Sequence, residues 1–458
     1  MSAFNTQEQA AVTEAAECVV IGDATLYRAD CIALMRTLPE SSVDSIVTDP
    51  PYGISFMGKA WDGADIVART ERRRGFASHA PDAGPNGGHK SIAAEAGKYD
   101  LTPAAMRAFQ DFSEEWAREA VRILKPGGHL LSFSSARTYH RMVCGIEDAG
   151  FEVRDQALWL YGSGFPKSHN LTGEHKGWGT ALKPAHEPIC VARKPLAKGH
   201  TVASNMLAYG TGAINIDGCR VEPTGESRPR VGETTQDQRY TDAGGTNFAA
   251  TPGVRGGAAE GRWPANLIHD GSDEVMALFP AQAGASAPVR GTEAGAASVG
   301  RVTGARERIA GIFHGDTGSA ARFFYCAKAS RADRNAGLVD PGPQFEHGAT
   351  LRKIEDAPKT GNIHPTVKPT DLIAYLQRLV TPPGGTTLDL FMGSGTGAKA
   401  AVREGFKFIG FEISAEYFPI AVARTRHEVG VVAAAVIADA AAAKELARQA
   451  DLFSEREA

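Results

Sequence analysis

The stretch LDLFMGSGTG, residues 388–397, sets the fold class of the whole chain. An apolar strand enters a glycine-rich turn and leaves it as a helix, and the glycines let the backbone bend sharply and approach a ligand closely. Glu412 lies at the end of the next predicted strand, 19 residues after Gly393. An acidic residue about 20 residues beyond such a loop is placed to bind ribose hydroxyls. The pattern therefore predicts a site for a ligand that contains adenosine.

The spacing of the glycines narrows the choice of ligand. They fall at positions 393, 395 and 397, and not in the G-x-G-x-x-G arrangement that binds a dinucleotide. This spacing disfavours a nicotinamide cofactor and suits one without a pyrophosphate. A tight strand-to-helix turn that binds nothing is the alternative, and the placement of Glu412 argues against it.

A second motif, TDPPYG at residues 48–53, stands near the other end of the chain. It follows a strand rich in β-branched residues, 43–48, and ligands bind at the carboxyl ends of such strands in open α/β sheets. The exocyclic amine of a nucleobase is a poor nucleophile because its lone pair is conjugated into the ring. An acceptor pair, the Asp49 carboxylate and the Pro50 carbonyl, would favour a pyramidal amine, and Tyr52 is placed to stack on a base drawn out of a duplex. The alternative is a proline-stiffened turn with a solvated aspartate and a core tyrosine.

Strands alternate with helices on both sides of the two motifs. A helix at 102–124, with Thr102 as its N-cap before Pro103, and strands at 129–134 and 407–411 fit this alternation. The expected fold is α/β, a Rossmann-like, mostly parallel sheet with helices on both faces and one large insertion. The predicted divisions are a half with the DPPY motif at 1–193, an inserted region at 194–360, a half with the glycine loop at 361–427 and a C-terminal helix at 428–458.

The composition is that of an ordinary soluble protein, with 43% hydrophobic and 22% charged residues. The six cysteines include no Cys-x-x-Cys pair, which argues against a zinc knuckle and favours reduced thiols. No apolar run approaches the roughly 18 residues of a membrane span, and no signal pattern opens the chain, so a cytoplasmic protein without a membrane segment is expected. The net charge of −4 is weak evidence against a nucleic-acid partner, although an acidic protein can still carry a basic cleft.

Together the two motifs resemble the signature of the DNA amino-methyltransferases, which methylate adenine N6 or cytosine N4. The DPPY turn, 49–52, precedes the F-x-G-x-G loop, 391–395, and this order resembles the β group of the family. HPTVKP at 364–369 stands before the cofactor strand, as it does in this group. The loop FMGKAWD at 56–62 resembles that of phage- and prophage-type members.

The resemblance implies S-adenosylmethionine as the cofactor and direct transfer from its sulfonium to the amine, with no metal. The segment LYRADC, 26–31, has Ala29 where this family commonly has glycine, and Asp30 is expected near the cofactor adenine. The implied cofactor-binding residues are Asp30, Asp49, His364, Thr366, Lys368, Asp389, Phe391, Gly393, Ser394, Gly395, Thr396 and Glu412. The implied catalytic residues, which would hold the target base, are Asp49, Pro50, Pro51 and Tyr52.

An aspartate at the first catalytic position leans toward adenine in this family. N6 of adenine in double-stranded DNA is therefore the expected target, and N4 of cytosine is the alternative. Related RNA and protein methyltransferases usually carry Asn first and place the cofactor loop earlier. An oxidoreductase would leave DPPY unexplained, and a non-catalytic DNA-binding protein would be expected to carry damaged motifs.

The inserted region, 194–360, interrupts the catalytic body between the motifs and is the expected target-recognition region. Its Trp263 is expected in a core and not at a base. The residues expected to contact DNA are Lys59, Trp61, Arg72, Arg73, Arg193 and Lys194. Simple solvation is the alternative for these cations. The family context also allows a homodimer, a cognate restriction nuclease and a location beside the nucleoid.

Overall fold

The structure of the chain, a computed structural model, describes residues 16–54, 62, 66, 101–164, 168–223, 229–230, 255–256, 260–283, 310–311, 317–328, 330–339, 345–346, 352–353 and 361–454. The strands are β1 (Glu17–Ile21), β2 (Ala24–Arg28), β3 (Val43–Thr48), β4 (Leu124–Phe133), β5 (Glu152–Leu160), β6 (His186–Arg193), β7 (Pro229–Arg230), β8 (Arg255–Gly256), β9 (Leu267–His269), β10 (Tyr325–Cys326), β11 (Phe345–Glu346), β12 (Arg352–Lys353), β13 (Thr386–Asp389) and β14 (Lys407–Phe411). The α-helices are α1 (Cys31–Met35), α2 (Pro103–Ile123), α3 (Tyr139–Asp148), α4 (Val202–Tyr209), α5 (Asp273–Met276), α6 (Arg331–Asn335), α7 (Thr370–Val380), α8 (Thr396–Glu404) and α9 (Phe418–Ser454).

The chain folds into two compact units. The larger unit consists of Met1–Trp159, Gly164–Asn215 and Ala327–Ala458, and the smaller one of Leu160–Ser163 and Ile216–Cys326. The smaller unit contains the parallel pair β9–β10 and the antiparallel pair β7–β8. Most of the smaller unit falls between residues 194 and 360, and its segment Leu160–Ser163 lies outside that range.

The sheet of the larger unit carries its strands in the order β1-β2-β14-β13-β3-β4-β6-β5. Four successive pairs, from β2 to β4, are parallel. The pairs β1–β2 and β4–β6 are antiparallel. This arrangement confirms the predicted Rossmann-like, mostly parallel sheet.

Both faces of the central strand β3 are covered, since all six of its residues are buried. Successive side chains of a strand point to opposite faces. Ser45 forms a 2.7 Å hydrogen bond with Thr381, the residue that ends α7, whereas Ile46 packs in the apolar cluster that contains Trp116 of α2. Helices therefore lie on both faces, as the sequence predicted.

Helix α2 begins as predicted, with Thr102 accepting a hydrogen bond from the Ala105 amide and Pro103 in the first turn. The predicted gap between this helix and the next strand is wrong. Leu124 is fully buried and pairs with Val43, so β4 starts directly after α2, and a register shift between Val43 and Ser45 accommodates the irregular segment.

The C-terminal helix also differs from prediction, and it packs on a hairpin near the start of the chain. A turn at Gly22, with φ of 58°, joins β1 and β2 in that hairpin. The C-terminal helix begins at Phe418, because Phe418, Ala421 and Val422 pack against the β1–β2 hairpin and α8. Among the described residues, no helix combines the length and the apolar character needed to cross a bilayer.

Candidate active site

The two sequence motifs meet at one edge of the sheet. Asp49 follows β3, the glycine loop follows β13, and Glu412 follows β14, and these three strands are parallel neighbours. The carboxyl ends of such strands form the ligand-binding edge of an open α/β sheet. The Thr48 hydroxyl donates a 2.8 Å hydrogen bond to Asp389 and so joins the ends of β3 and β13 directly.

Asp49 lies in a compact cluster of four polar side chains. Its Oδ2 accepts a hydrogen bond from Lys368 Nζ at 2.6 Å, and its Oδ1 accepts one from the Tyr52 hydroxyl at 2.7 Å. Glu187 Oε2 lies 3.1 Å from each of the same two donors. The Lys368 ammonium also lies 3.2 Å from the Tyr52 hydroxyl. One cation and one hydroxyl are thus shared by two carboxylates.

The charges of this cluster depend on one another. Burial alone lowers the pKa of Lys368, but Asp49 and Glu187 outweigh it and raise this pKa, so the ammonium stays charged. Burial raises the pKa of Glu187, and Lys368 opposes that rise. Burial, with Asp49 and Glu187 adding to it, raises the pKa of Tyr52 well above its usual range, so its hydroxyl remains a donor.

The backbone of the DPPY turn, 49–52, is held by residues outside the turn. Asp62 is almost fully buried, and its carboxylate accepts hydrogen bonds from the amides of Tyr52, Gly53 and Ile54. The Thr138 hydroxyl donates a 2.7 Å hydrogen bond to the carbonyl of Tyr52. These contacts fix the direction in which the turn presents its side chains.

The glycine loop is shaped by its own backbone and by Glu412. The Gly393 amide donates to Glu412 Oε2 and the Ser414 amide donates to Oε1, each at 2.7 Å. Gly393 and Gly395 have φ of 54° and 80°, and a Cβ on Gly393 would lie 2.8 Å from His364 Nε2. The loop therefore needs glycine both for its conformation and for its packing.

Two carboxyl groups at this loop have perturbed acidity. Burial raises the pKa of Asp389 to about 7, against hydrogen bonds from Thr48 and the Phe391 amide that lower it. Burial likewise raises the pKa of Glu412 to about 7, against its backbone hydrogen bonds. Perturbed pKa values of this kind cluster at functional sites.

A buried arginine from α9 supports the far side of the loop. Arg424 Nη1 donates to the Ser394 carbonyl at 2.7 Å, to the Ser394 hydroxyl at 3.0 Å and to the Thr396 hydroxyl at 3.1 Å. Arg424 is fully buried, and its Nη2 reaches the Asp333 carbonyl at 3.3 Å. The hydroxyls expected to bind the cofactor are thus turned toward this guanidinium.

The HPTVKP segment, 364–369, serves both motifs. The His364 ring packs edge-on against Tyr417, with centroids 4.6 Å apart, and its Nδ1 accepts a 3.3 Å hydrogen bond from the Thr366 amide. Burial lowers the pKa of His364 to about 4, so its ring is neutral. Lys368 contacts Asp49 of the DPPY turn, another residue that is expected at the cofactor.

Asp30 and Phe391 lie at the same edge of the sheet as the motifs. Asp30 caps α1 through a 2.9 Å hydrogen bond from the Ala33 amide, and the neighbouring Ala29 amide donates to the Glu412 carbonyl at 3.1 Å. The half-buried Phe391 ring is backed by Trp116 of α2, edge-on, with centroids 6.2 Å apart.

The profile of the DNA methylase family that covers N6 and N4 methylation matches residues 43–423. The chain belongs to this DNA methylase family. The match spans both motifs and the inserted region between them, and it confirms the family resemblance inferred from the sequence.

Relatives of this chain include two curated bacterial enzymes. The type II methyltransferase M.HindIII of Haemophilus influenzae is 28% identical over 210 residues, which are 42% of this chain and 64% of that protein. The type II methyltransferase M2.LlaDCHI of Lactococcus lactis subsp. cremoris is 24% identical over 137 residues, which are 30% of this chain and 41% of that protein. The chain thus spans less than two thirds of the length of either relative. Among solved structures, the cytosine-N4-specific PvuII DNA methyltransferase is 14% identical, with a TM-score of 0.39 over 88% of this chain and 86% of that chain.

Two residues of the expected DNA-contacting set have partners within the protein. Arg193 is buried, and its guanidinium binds Glu152 Oε2 at 2.7 Å and the Gly212 carbonyl at 3.3 Å. Lys194 Nζ donates to the carbonyls of Arg122 and Leu124. Both cations are used inside the protein. Lys59, Trp61, Arg72 and Arg73 lie outside the described residues.

Three residues of the site escaped the sequence analysis. Glu187 stands near the start of β6 and Arg424 in the first part of α9, and Asp62 lies ten residues from the tyrosine whose amide it binds. Neither Glu187 nor Arg424 belongs to a motif, so the sequence carried no signal for them. Trp263, expected in a core, is 65% exposed.

Proposed function

We propose that this chain is a DNA methyltransferase that transfers the methyl group of S-adenosylmethionine to the N6 amino group of adenine in double-stranded DNA. The observation that carries the proposal is the position of Asp49. Its carboxylate lies at the same sheet edge as the glycine loop and is linked to that loop through Thr48 and Asp389. A base amine bound to Asp49 would therefore face a cofactor bound at the loop.

The residues around the loop fit an adenosyl cofactor. Each oxygen of Glu412 accepts one backbone hydrogen bond, which leaves lone pairs for ribose hydroxyls. The half-buried Phe391 ring offers an aromatic face to a cation. When bound, S-adenosylmethionine supplies a methyl group that is attached to a positively charged sulfur. After the transfer, this sulfur is part of a neutral thioether.

The catalytic turn would then prepare the amine. The Asp49 carboxylate and the Pro50 carbonyl accept hydrogen bonds from the two N–H groups, which directs the nitrogen lone pair outward. As the amine gains its methyl group it loses a proton, and Asp49 is placed to take that proton. Pro51 stiffens the turn, and Tyr52 bounds the space beside the base. Positioning of this kind supplies much of the rate when the leaving group is already activated.

Adenine is preferred over cytosine because Asp49 opens the motif. The inserted region, 194–360, is proposed to read the DNA sequence, with the compact unit Ile216–Cys326 as its centre. DNA is the proposed macromolecular substrate, and the proposed location is the cytoplasm beside the nucleoid. A homodimer and a cognate restriction nuclease stay predictions.

The proposal is tested by expressing the protein in a host without DNA methylation of its own. The DNA is digested to nucleosides, which are identified by mass, and an Asp49→Ala variant expressed to the same level is the control. We expect abundant N6-methyladenine that disappears in the control. Detection of N4-methylcytosine would support the same mechanism with cytosine as the target base. If the protein binds S-adenosylmethionine but neither methylated nucleoside is found, the result would contradict the DNA proposal.

A further inference from the structure

Strand direction brings a second carboxylate, Glu187, to the catalytic edge. Strand β6 runs antiparallel to β4, with Ile189 opposite Phe133, the last residue of β4. The Ser134 amide, just beyond that strand, donates a 3.0 Å hydrogen bond to the Pro188 carbonyl. The amino end of β6 therefore lies where the parallel strands have their carboxyl ends, and Glu187 meets the DPPY turn.

Glu187 is within hydrogen-bond distance of both side chains that donate hydrogen bonds to Asp49. Lys368 Nζ lies 2.6 Å from Asp49 and 3.1 Å from Glu187. The Tyr52 hydroxyl lies 2.7 Å from Asp49 and 3.1 Å from Glu187. Both donors are thus nearer to Asp49, with Glu187 as a second acceptor a few tenths of an ångström farther away.

Binding of the base amine requires Asp49 to release hydrogen-bond donors that Glu187 can accept. The amine must donate to Asp49, whose two oxygens are already engaged by Lys368 and Tyr52. Pulling these donors away would leave a buried ammonium without a partner, which is strongly unfavourable. With Glu187 beside them, the donors can shift to a second carboxylate and keep their hydrogen bonds.

We propose that Glu187 is a positioning residue for methyl transfer, which receives Lys368 and Tyr52 when the base amine binds Asp49. The inference rests on the proposed function, since it assigns a role within the same site. The side chain of Glu187 is 20% exposed and that of Lys368 is 6% exposed, so water is a poor substitute for this partner. The high pKa of Lys368 agrees with an ammonium that is always paired.

The test compares Glu187→Gln with wild type in steady-state methyl transfer to unmethylated duplex DNA across a range of pH. The ionisable groups that face Asp49 are Glu187, Tyr52, Lys368, Asp389 and His364. Burial raises the pKa of Glu187, so Glu187 contributes to the acid limb of the pH profile, and glutamine removes that contribution. We expect kcat to fall about tenfold or more, and the acid limb of its pH profile to move down by about half a unit. The Kd of S-adenosylmethionine should stay within about twofold of wild type.

Two further variants separate positioning from folding. Glu187→Asp keeps the charge and should recover part of the lost kcat. Glu152→Gln is the matched control, because it breaks another carboxylate–cation pair, with Arg193, at the opposite edge of the sheet. It should leave kcat and the pH profile unchanged.

Three outcomes would overturn the inference. A Glu187→Gln enzyme with wild-type kcat and an unmoved acid limb would show that Glu187 has no role. A loss of kcat at every pH, matched by a loss of thermal stability and of cofactor binding, would show a purely structural role. A wild-type enzyme that methylates no DNA would instead remove the proposed function itself, and this is seen before any variant is compared.

Discussion

The catalytic turn and the cofactor loop lie at the same edge of the sheet, yet they are held in different ways. The functional carboxylate of the turn, Asp49, is contacted by the ends of long side chains, Lys368 and Tyr52. The loop is fixed by backbone hydrogen bonds to Glu412, by glycines in left-handed conformations and by the buried Arg424.

The difference matches what each region has to do. A loop that binds the same cofactor in every cycle benefits from a rigid, preformed shape. A carboxylate that must accept a new hydrogen bond from a base in every cycle needs partners that can shift. Changes in the turn should therefore affect turnover, and changes around the loop should affect cofactor affinity and stability.

The largest effect is expected from Lys368→Met, which tests whether this lysine belongs to the turn or to the cofactor site. Without the ammonium, Asp49 and Glu187 repel each other and compete for Tyr52. We expect kcat to fall about 100-fold or more, with the Kd of S-adenosylmethionine within about threefold of wild type. The measurement is single-turnover methyl transfer with calorimetric cofactor binding. A weaker affinity for S-adenosylmethionine with unchanged kcat would show that Lys368 belongs to the cofactor site.

Gly395→Ala should be the most damaging small change in the loop. Its φ is 80°, and a Cβ would lie 2.7 Å from the Ala421 backbone. Gly405→Ala is the matched control, since that glycine also has positive φ, 72°, but has open space at its Cβ. We expect Gly405→Ala to lower the free energy of unfolding by about 1 kcal/mol and Gly395→Ala by about 2 kcal/mol more. Equal losses in chemical denaturation would show that the contact with α9 is unimportant.

Arg424→Lys should weaken the loop more gently. Lysine keeps the charge but cannot reproduce the planar fork that contacts Ser394, Thr396 and Asp333. We expect the Kd of S-adenosylmethionine to rise about tenfold, with little change in kcat at saturating cofactor. Arg403→Lys is the control, because Arg403 pairs with Glu428 on the outer side of α8. Similar Kd values for the two variants would contradict a specific role for Arg424.

A last effect is a pH dependence of stability that comes from the loop. The pKa of Glu412 is raised to about 7 in the folded protein, so the folded state holds the proton more tightly than the unfolded state. Its stabilising contribution is complete below the unfolded pKa of about 4.3 and is lost as pH rises through about 7, at roughly 1.4 kcal/mol per unit of pKa shift. Denaturation from pH 4.5 to 7.5 should therefore show falling stability without cofactor. Glu412→Gln should make the slope shallower, with the remaining slope contributed by Asp389, and an unchanged slope would exclude Glu412 as a source.

The sequence was sufficient for the fold class and for the meeting of the two motifs. Glycine spacing, a β-branched strand before DPPY and alternating elements are local signals, and the parallel sheet follows from them. The long-range pairings were not accessible in this way. Glu187 reaches the site because β6 is antiparallel, and Lys368 reaches Asp49 across 319 residues of chain. Arg193 looked like a surface cation because nothing local shows its partner, Glu152.

The central claim is that Asp49 holds a DNA base amine for transfer from a cofactor at the neighbouring loop. It is tested most directly with purified protein, unmethylated duplex DNA and S-adenosylmethionine labelled in its methyl group, comparing wild type with Asp49→Asn. We expect wild type to place the label on adenine N6, and the variant to transfer it at least about 1,000-fold more slowly while binding the cofactor equally well. Transfer by Asp49→Asn at the wild-type rate would contradict the account.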